Sequence, residues 1–540
     1  MERIPVYDYI IVGAGSAGCV LAHRLSADPS VRVLLLEAGG RDWHPFIHMP
    51  AGIAKLVGRK GVNWDYYTEP EPALHGRRLW WPRGKVLGGS SSINAMCYVR
   101  GAPADYDQWA AEGATGWDWA GVLPYFLRAE DNTRGPSALH GIGGPLAVSD
   151  LRHHNPLSEA FLAAAGEAGY PSNPDFNGPR QEGFGFYQVT QREGARCSTA
   201  RAYLDPARDR PNLTIRTRAQ AERILVERGR AVGVCYRQGD RRIEVRAQRE
   251  VLLAGGALNS PQLLMLSGIG PADHLREHGI AVIADLPGVG RNLQDHLDIC
   301  TVDTCRTAVT YDRTNDLLIA LDYYLFRRGP GTSNIAESGG FVRSRLATDA
   351  RCDLQFHFVP AILDDHGRNR IPGNGYTLHA CALRPRSRGH LELASADPAR
   401  KVRIHANYLS DEEGADLRTM VEAVRLAREL LAQPALRPFR AGELFPGEAA
   451  RTEAEIVDFI RAKAETIYHP VGTCRMGQDR LAVVDPELRV RGIEGLRVVD
   501  ASVMPSLIGG NTNAPTIMIA ERACDLILRE RLPASGRKAA

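Results

Sequence analysis

The segment Tyr468 to Gly477, YHPVGTCRMG, sets a histidine five residues before a cysteine, with an arginine beside the thiol. Imidazole and thiol at this spacing serve three chemistries: a metal site, a Cys/His nucleophile, or an imidazole that moves a proton. Zinc needs four ligands, and no C-x-x-C pair or neighbouring His/Cys pair supplies the other two, so no metal is expected. A thiol nucleophile needs an activating base in contact, which spacing does not show, so for Cys474 a nucleophile and a small apolar filler both stay open. For His469 the residues leave two roles open, proton transfer and an ordinary structural place before a proline.

A second set concerns phosphate. Gly13, Gly15 and Gly18 form G-x-G-x-x-G, and Glu37 follows 19 residues after Gly18. The first glycine makes a turn, the second lets a pyrophosphate approach the backbone, and the third packs helix on strand. Amides at the helix N-terminus then face the phosphate charge, and the acid accepts from a ribose diol. The pattern fits NAD and FAD equally. A third set is the loop RGKVLGGSSSINAMCYVRG from Arg83 to Gly101. Its small residues and free amides suit the face of a flat polar ring system. Its apolar neighbours Val86, Leu87, Ile93 and Met96 place it inside the protein rather than on a mobile surface.

These sets need elements to hold them. An apolar run at Tyr9–Val12 predicts a strand, Ser16–Ser26 a helix, and VRVLLLEAGG a second strand ending at Glu37, together a βαβ unit on a parallel sheet. The same theme returns at Val251–Ala254 with a helix from about Ser260, and again at Leu496–Val499 running into Asp500. Between them, DLQFHFVPAIL, GYTLHACALRP and HLELAS alternate as an antiparallel sheet does, and Glu412–Gln433 has helical spacing. The expected fold is therefore an α/β Rossmann-like domain carrying an inserted α+β domain on a mainly antiparallel sheet. The nucleotide-binding domain is expected to be discontinuous over 1–156, 200–311 and 463–533. Residues 157–199 and 312–462 are expected to form the substrate domain, and 534–540 a frayed tail.

Composition narrows the class. The 540 residues are 44% hydrophobic and 24% charged, with a net charge of only +3, which gives no electrostatic reason to expect nucleic acid. Ten cysteines without a C-x-x-C pair fit reduced thiols and a cytoplasmic location. No apolar run is long enough to span a bilayer, while peripheral contact with the inner membrane stays compatible with the composition.

GKVLGGSSSINAMCY and GALNSPQLLMLSGIG resemble the two defining motifs of the glucose–methanol–choline (GMC) flavoprotein oxidoreductases. YHPVGTCRMG and GGNTNAPTIMIAERACDLI resemble that family's C-terminal segments. The resemblance runs from Tyr7 to about Arg529. TSNIAESGGF, LQFHF and DHGRN are most similar to the choline-dehydrogenase-like branch and its quinone-linked aliphatic alcohol dehydrogenases. It implies FAD, with Gly13, Gly15, Ser16, Gly18 and Glu37 on the ADP half and the adenine near Ala221. Arg83, Val86, Gly88, Gly89, Asn94 and Met96 would line the pyrophosphate and flavin, and Asp500 and Ala501 the ribityl region. Ala17, Ala38, Trp64, Ala95, Ala254, Asn511 and Thr512 complete the implied cofactor-binding set. Some members bind FAD covalently through a histidine where this chain has Ile93, so dissociable FAD is expected.

The resemblance further implies oxidation of a primary alcohol to an aldehyde by hydride transfer to flavin N5. His469 would be the general base and Asn513, 44 positions later, the second polar residue, which would also touch the cofactor. Electrons would pass to a quinone-type acceptor. An oxidase using O₂ on aryl alcohols or choline, and a hydroxynitrile lyase on the same fold, are the alternatives. Glu337 matches a glutamate that stands by the cationic headgroup in choline-oxidising relatives, and a structural or gating role is equally open.

Overall fold

The computed structural model describes residues 4–448 and 450–530; the tail expectation for 534–540 lies outside them. The chain forms two large sheets. In the first, the strand Val6–Val12 lies between Val33–Leu36 and the second half of Arg241–Leu253, all parallel. Leu213–Arg216 extends it on one side, and Leu496–Val498 pairs with Leu252 and its neighbours on the other. Val33–Leu36 is buried along its whole length, as a strand covered by helices on both faces must be. The first half of Arg241–Leu253 leaves the parallel core and joins Arg230–Gln238 and Ala219–Glu227 in an antiparallel meander.

The helix Ser16–Leu25 packs against the sheet through Ala17, Cys19, Val20, Leu21 and Ala22. A methyl group on Gly18 would meet the Gly13 carbonyl oxygen at 1.8 Å, so the third glycine of the motif sets how closely helix and turn approach. The C-terminal helix Asn513–Arg529 lies alongside, fixed by Arg24 and Arg128 on the fully buried Glu521.

The second sheet is antiparallel and runs through Arg440–Phe445, Leu297–Cys305, Gly375–Ala382, Leu354–Val359, Ser338–Val342 and Gly183–Phe186. Its two faces explain the alternation read from sequence. Leu354, Phe356 and Phe358 join Met420, Val424 and Ala427 of the helix Ala415–Leu431 in one core, each aromatic contributing about 1.5–3 kcal/mol by burial. The intervening Gln355 and His357 face the other way. Two expectations shift. Leu297–Cys305, assigned by sequence to the nucleotide unit, is an interior strand of this sheet. HLELAS instead pairs as His390–Glu392 with Arg403–His405 in a separate ribbon.

Candidate active site

A cavity of about 570 Å³ lies between the two sheets. Its nucleotide end is built from backbone. Gly13 takes φ +103°, a conformation glycine adopts without strain. Gly89 comes so close to Gly15 that a Cβ on it would sit 2.7 Å from the Gly15 Cα. Two helix N-termini converge here, because Ser16 and Asn513 each begin a helix and Ser16 Oγ donates to Asn513 Oδ1 at 2.7 Å. Aligned helix ends favour anionic groups. Glu37 accepts from the amides of Ala14 and Gly39 at 2.9 and 2.7 Å, and burial raises its carboxyl to about 7. Asp500 accepts from Gly256 N and Ser260 Oγ and so ties the turn after Leu253 to the C-terminal strand. The Arg83 guanidinium also lines the cavity, donating to the carbonyls of Pro82 and Tyr468. A side-chain-free cradle, converging helix ends and a half-buried cation fit the pyrophosphate and ring system of FAD.

The other end is built from side chains. His469 is 7% exposed. Its Nδ1 lies 3.0 Å from His296 Nδ1, with the rings perpendicular, and its Nε2 lies 3.3 Å from Asn511 Nδ2. Asn511 Oδ1 accepts from Gln355 Nε2 at 3.0 Å, and Gln355 Nε2 also stands 3.1 Å from His357 Nε2. With Asn511 donating, His469 Nε2 carries the lone pair and Nδ1–H points at His296. Burial, reinforced by His296, His357 and Arg83, holds His469 well below the usual imidazole range. Burial likewise brings His296 and His357 down to about 3. The backbone before His469 is strained: Tyr468 sits at φ +72°. It is clamped by Arg83 on its carbonyl at 2.6 Å and by its own amide on Thr466 Oγ1 at 2.8 Å. His469 N donates to the buried Asp295 at 2.8 Å, and Asp295 also accepts from Thr466 and Tyr408.

The cavity lining also carries two carboxylate–imidazole pairs, Asp298–His379 at 2.6 Å and Glu465–His366 at 2.7 Å. Asp298, Cys300 and His379 present ligand-type atoms within 4.8 Å of one another. Burial, with Asp298 adding to it, holds the Cys300 thiol well above its usual range, which opposes thiolate ligation.

Most of the sequence-predicted residues line this cavity: Gly13, Gly15, Ser16, Ala17, Glu37, Ala38, Trp64, Arg83, Gly89, Asn94, Ala95, Met96, Ala221, Ala254, Asp500, Ala501, Asn511, Thr512, Asn513 and His469. Three do not. Gly18 is used against Gly13. Val86 is buried with Ile47 and Leu56. Gly88 donates its amide to the Ala14 carbonyl at 2.7 Å, joining the loop to the first turn. Asn513, expected as the second polar residue, accepts from Ser16 Oγ through Oδ1, and Asn511 is the amide beside His469. A count along the chain places a residue to within one helical step, and the start of the helix at Asn513 decides which amide reaches the imidazole.

Sequence reasoning missed Asp295, His296, Gln355 and His357. Gln355 and His357 carried one signal, polar residues at alternate positions of an apolar strand. Asp295 and His296 stand 174 and 173 positions from His469, and no spacing rule connects them. Glu337 is fully buried and accepts from Asn155 N, Ser158 Oγ, Ser333 Oγ and Tyr311 OH.

Fold and site together define an FAD-dependent oxidoreductase with a cluster of buried imidazoles, His296, His357 and His469, at the reaction end. The chain belongs to the GMC oxidoreductases: the N-terminal GMC family domain matches residues 7–298 and the C-terminal one residues 385–520. It is 54% identical to the alcohol dehydrogenase [acceptor] of Pseudomonas putida, covering 97% of this chain and 96% of that one. It is 48% identical to the mitochondrial choline dehydrogenase of Mus musculus, covering 96% and 89%. The pyridoxine 4-oxidase of Mesorbium loti superposes with a TM-score of 0.88 at 34% identity, over 96% of this chain and 98% of that one. The protein is thus an FAD-dependent GMC oxidoreductase of the alcohol- and choline-oxidising kind.

Proposed function

We propose that this enzyme oxidises an uncharged primary alcohol to its aldehyde, with His469 as the base, and passes the electrons to a quinone-type acceptor. The observation that carries the chemistry is the neutral His469 imidazole beside Asn511 at the side-chain end of the cavity. Bound FAD supplies the hydride acceptor. His469 Nε2 takes the hydroxyl proton, while Asn511 Nδ2 turns from the imidazole to the substrate oxygen and stabilises its developing negative charge. Asp295 and Arg83 hold the Tyr468–His469 backbone, and His296 fixes the ring through Nδ1. Dissociable FAD follows from Ile93, whose side chain has no group to form a covalent link.

The preference for an uncharged substrate rests on Glu337. Four donors occupy its carboxylate, and it does not line the cavity. Of the carboxylates that do line it, Glu37 and Asp500 are held by amides and a hydroxyl at the nucleotide end, and Asp298 and Glu465 each face an imidazole. The test is anaerobic mixing of the yellow holoenzyme with alkanols, glycols, benzyl alcohol and choline. Flavin bleaching is expected with primary alkanols and at least tenfold slower with choline. In air, dye or quinone reduction should outrun peroxide release. Peroxide release matching alcohol consumption would make it an oxidase, and a flavin that stays oxidised with every alcohol would overturn the reading.

A further inference from the structure

The helix Asp316–Phe326, DLLIALDYYLF, is apolar on every side, yet within it only Tyr323 is buried. Leu317 is 76% exposed and Leu325 62%, and Leu318, Leu321, Tyr324 and Phe326 are exposed with them. A helix apolar all round belongs in a protein core or in lipid, and a contiguous exposed patch of this kind marks an interaction surface. At about 1.5 Å per residue the helix is far too short to cross a bilayer, and none of the described helices is long and apolar enough to do so.

Its surroundings are basic. Arg327 and Arg328 follow it directly, both exposed. The segment Gly52–Gly61 beside it, which opens with the short helix Ile53–Leu56, carries Lys55, Arg59 and Lys60, and Lys55 Nζ pairs with Asp316 at 2.9 Å. Over residues 52–61 and 311–328 the chain has six Lys/Arg and three Asp, against a net charge of +3 for the whole protein. The patch is also continuous with the cavity. Ile53, Ala54, Val57 and Gly58 of the same segment line it, as do Asn334 and Ile335 beyond the helix. Tyr323 anchors the helix inward, its hydroxyl donating to the His48 carbonyl at 2.8 Å.

We infer that the helix Asp316–Phe326 and the Lys55–Lys60 segment form a docking surface for an anionic lipid bilayer, on which the helix lies in the headgroup plane. Apolar area entering the acyl boundary and cations meeting lipid phosphates both add to binding at such a surface. Docked so, the cavity wall at Ile53–Gly58 stands at the membrane surface, where a lipid-soluble acceptor is concentrated. A bilayer is favoured over a second protein because the exposed side chains are mostly flexible aliphatics and the charge around them is net positive, with Arg59, Lys60 and Arg327 beyond the pairs Lys55–Asp316 and Arg328–Asp322.

The test measures lipid binding by the holoenzyme, which is independent of substrate and acceptor identity, so its failure is distinguishable from failure of the proposed reaction. Co-sedimentation is measured with vesicles of phosphatidylglycerol and phosphatidylcholine, and with phosphatidylcholine alone. Binding is expected on the anionic vesicles, with at least tenfold loss on the neutral ones and at 0.5 M salt (roughly a 4 Å screening length). The variant Leu318→Gln/Leu321→Gln/Phe326→Gln replaces exposed side chains and should keep its flavin spectrum and its turnover with a soluble dye. Its vesicle binding should fall more than tenfold, and its turnover with quinone embedded in vesicles should fall in parallel. No binding by the parent enzyme, equal binding to neutral vesicles, or undiminished binding by the variant would overturn the inference. So would a dimer, measured by light scattering, that the same variant dissociates, since that would give the surface to a second copy of the chain.

Discussion

The two ends of the cavity are made differently. The nucleotide end is backbone: glycines at close approach, helix ends and amides, held by the parallel sheet. The reaction end is side chains, with His296, Gln355, His469 and Asn511 drawn from four separate stretches of chain. Local motifs can specify the first, because its parts fall in a few short contiguous stretches, the turn at Gly13–Gly18 and the loop Arg83–Met96 foremost. The second exists only after the antiparallel sheet and the C-terminal segments have packed together. A lesion at one end should therefore remove cofactor, and a lesion at the other should remove chemistry and leave the cofactor in place.

The sharpest way to separate the ends is His469→Ala. It should lower the rate of anaerobic flavin reduction by roughly 10³-fold, within the range for loss of a general base, with FAD content unchanged by absorbance. An equal loss of FAD would merge the two ends. Next comes the contrast between the two asparagines. Asn511→Ala should cost roughly 10²-fold in kcat/KM, as removal of a donor to developing charge does. Asn513→Ala should mainly weaken FAD binding, because its partner is Ser16. The reverse order in stopped-flow reduction and FAD titration would restore the pairing expected from sequence.

Gly89→Ala addresses the nucleotide end. Its Cβ would meet the Gly15 Cα at 2.7 Å, from a backbone at φ +53°. FAD dissociation, followed by fluorescence of released flavin, should rise at least tenfold, which is about 1.4 kcal/mol, with the apo-protein still folded by circular dichroism. FAD retained at parent affinity would show that the cradle gives way.

The smallest effect is on stability against pH. His296 and His357 titrate near 3 in the folded chain, pushed down by burial from the usual 6.5. As pH falls below 6.5 the unfolded chain takes up these protons first, so stability is full above 6.5 and is lost progressively towards 3. At pH 5 the loss is about 2 kcal/mol per group. In a pH 7 to pH 5 series of melting temperatures, His357→Gln should reduce the decline, and an unchanged slope would remove His357 from the account. The same physics keeps His469 neutral through neutrality, so it should add no acid limb to kcat/KM above pH 6.5.

How much was legible follows the same division. Gly13, Gly15, Gly18 and Glu37 declared a nucleotide site because turn, phosphate approach and ribose contact fall within one βαβ unit. The alternation in LQFHF gave a strand with an apolar and a polar face, and Leu354–Val359 has both. Leu297–Cys305 was assigned to the wrong unit because a strand's sequence pattern does not say which sheet it joins. Asn511 was passed over as the partner of His469 because a fixed count along the chain ignores where the helix begins. The exposure of the helix Asp316–Phe326 has no signal in the sequence, since apolar character says nothing of what covers it.

By itself, then, the sequence determined the family, the dinucleotide-type turn, the two sheet types and the candidate base. Those properties rest on local periodicity and on motifs whose parts lie close along the chain. The tertiary structure decided which amide faces His469, that His296 supports the ring, that Glu337 is saturated by four donors, and that one apolar helix stays outside. Each of these depends on distances between segments far apart in the chain, and only packing sets such distances.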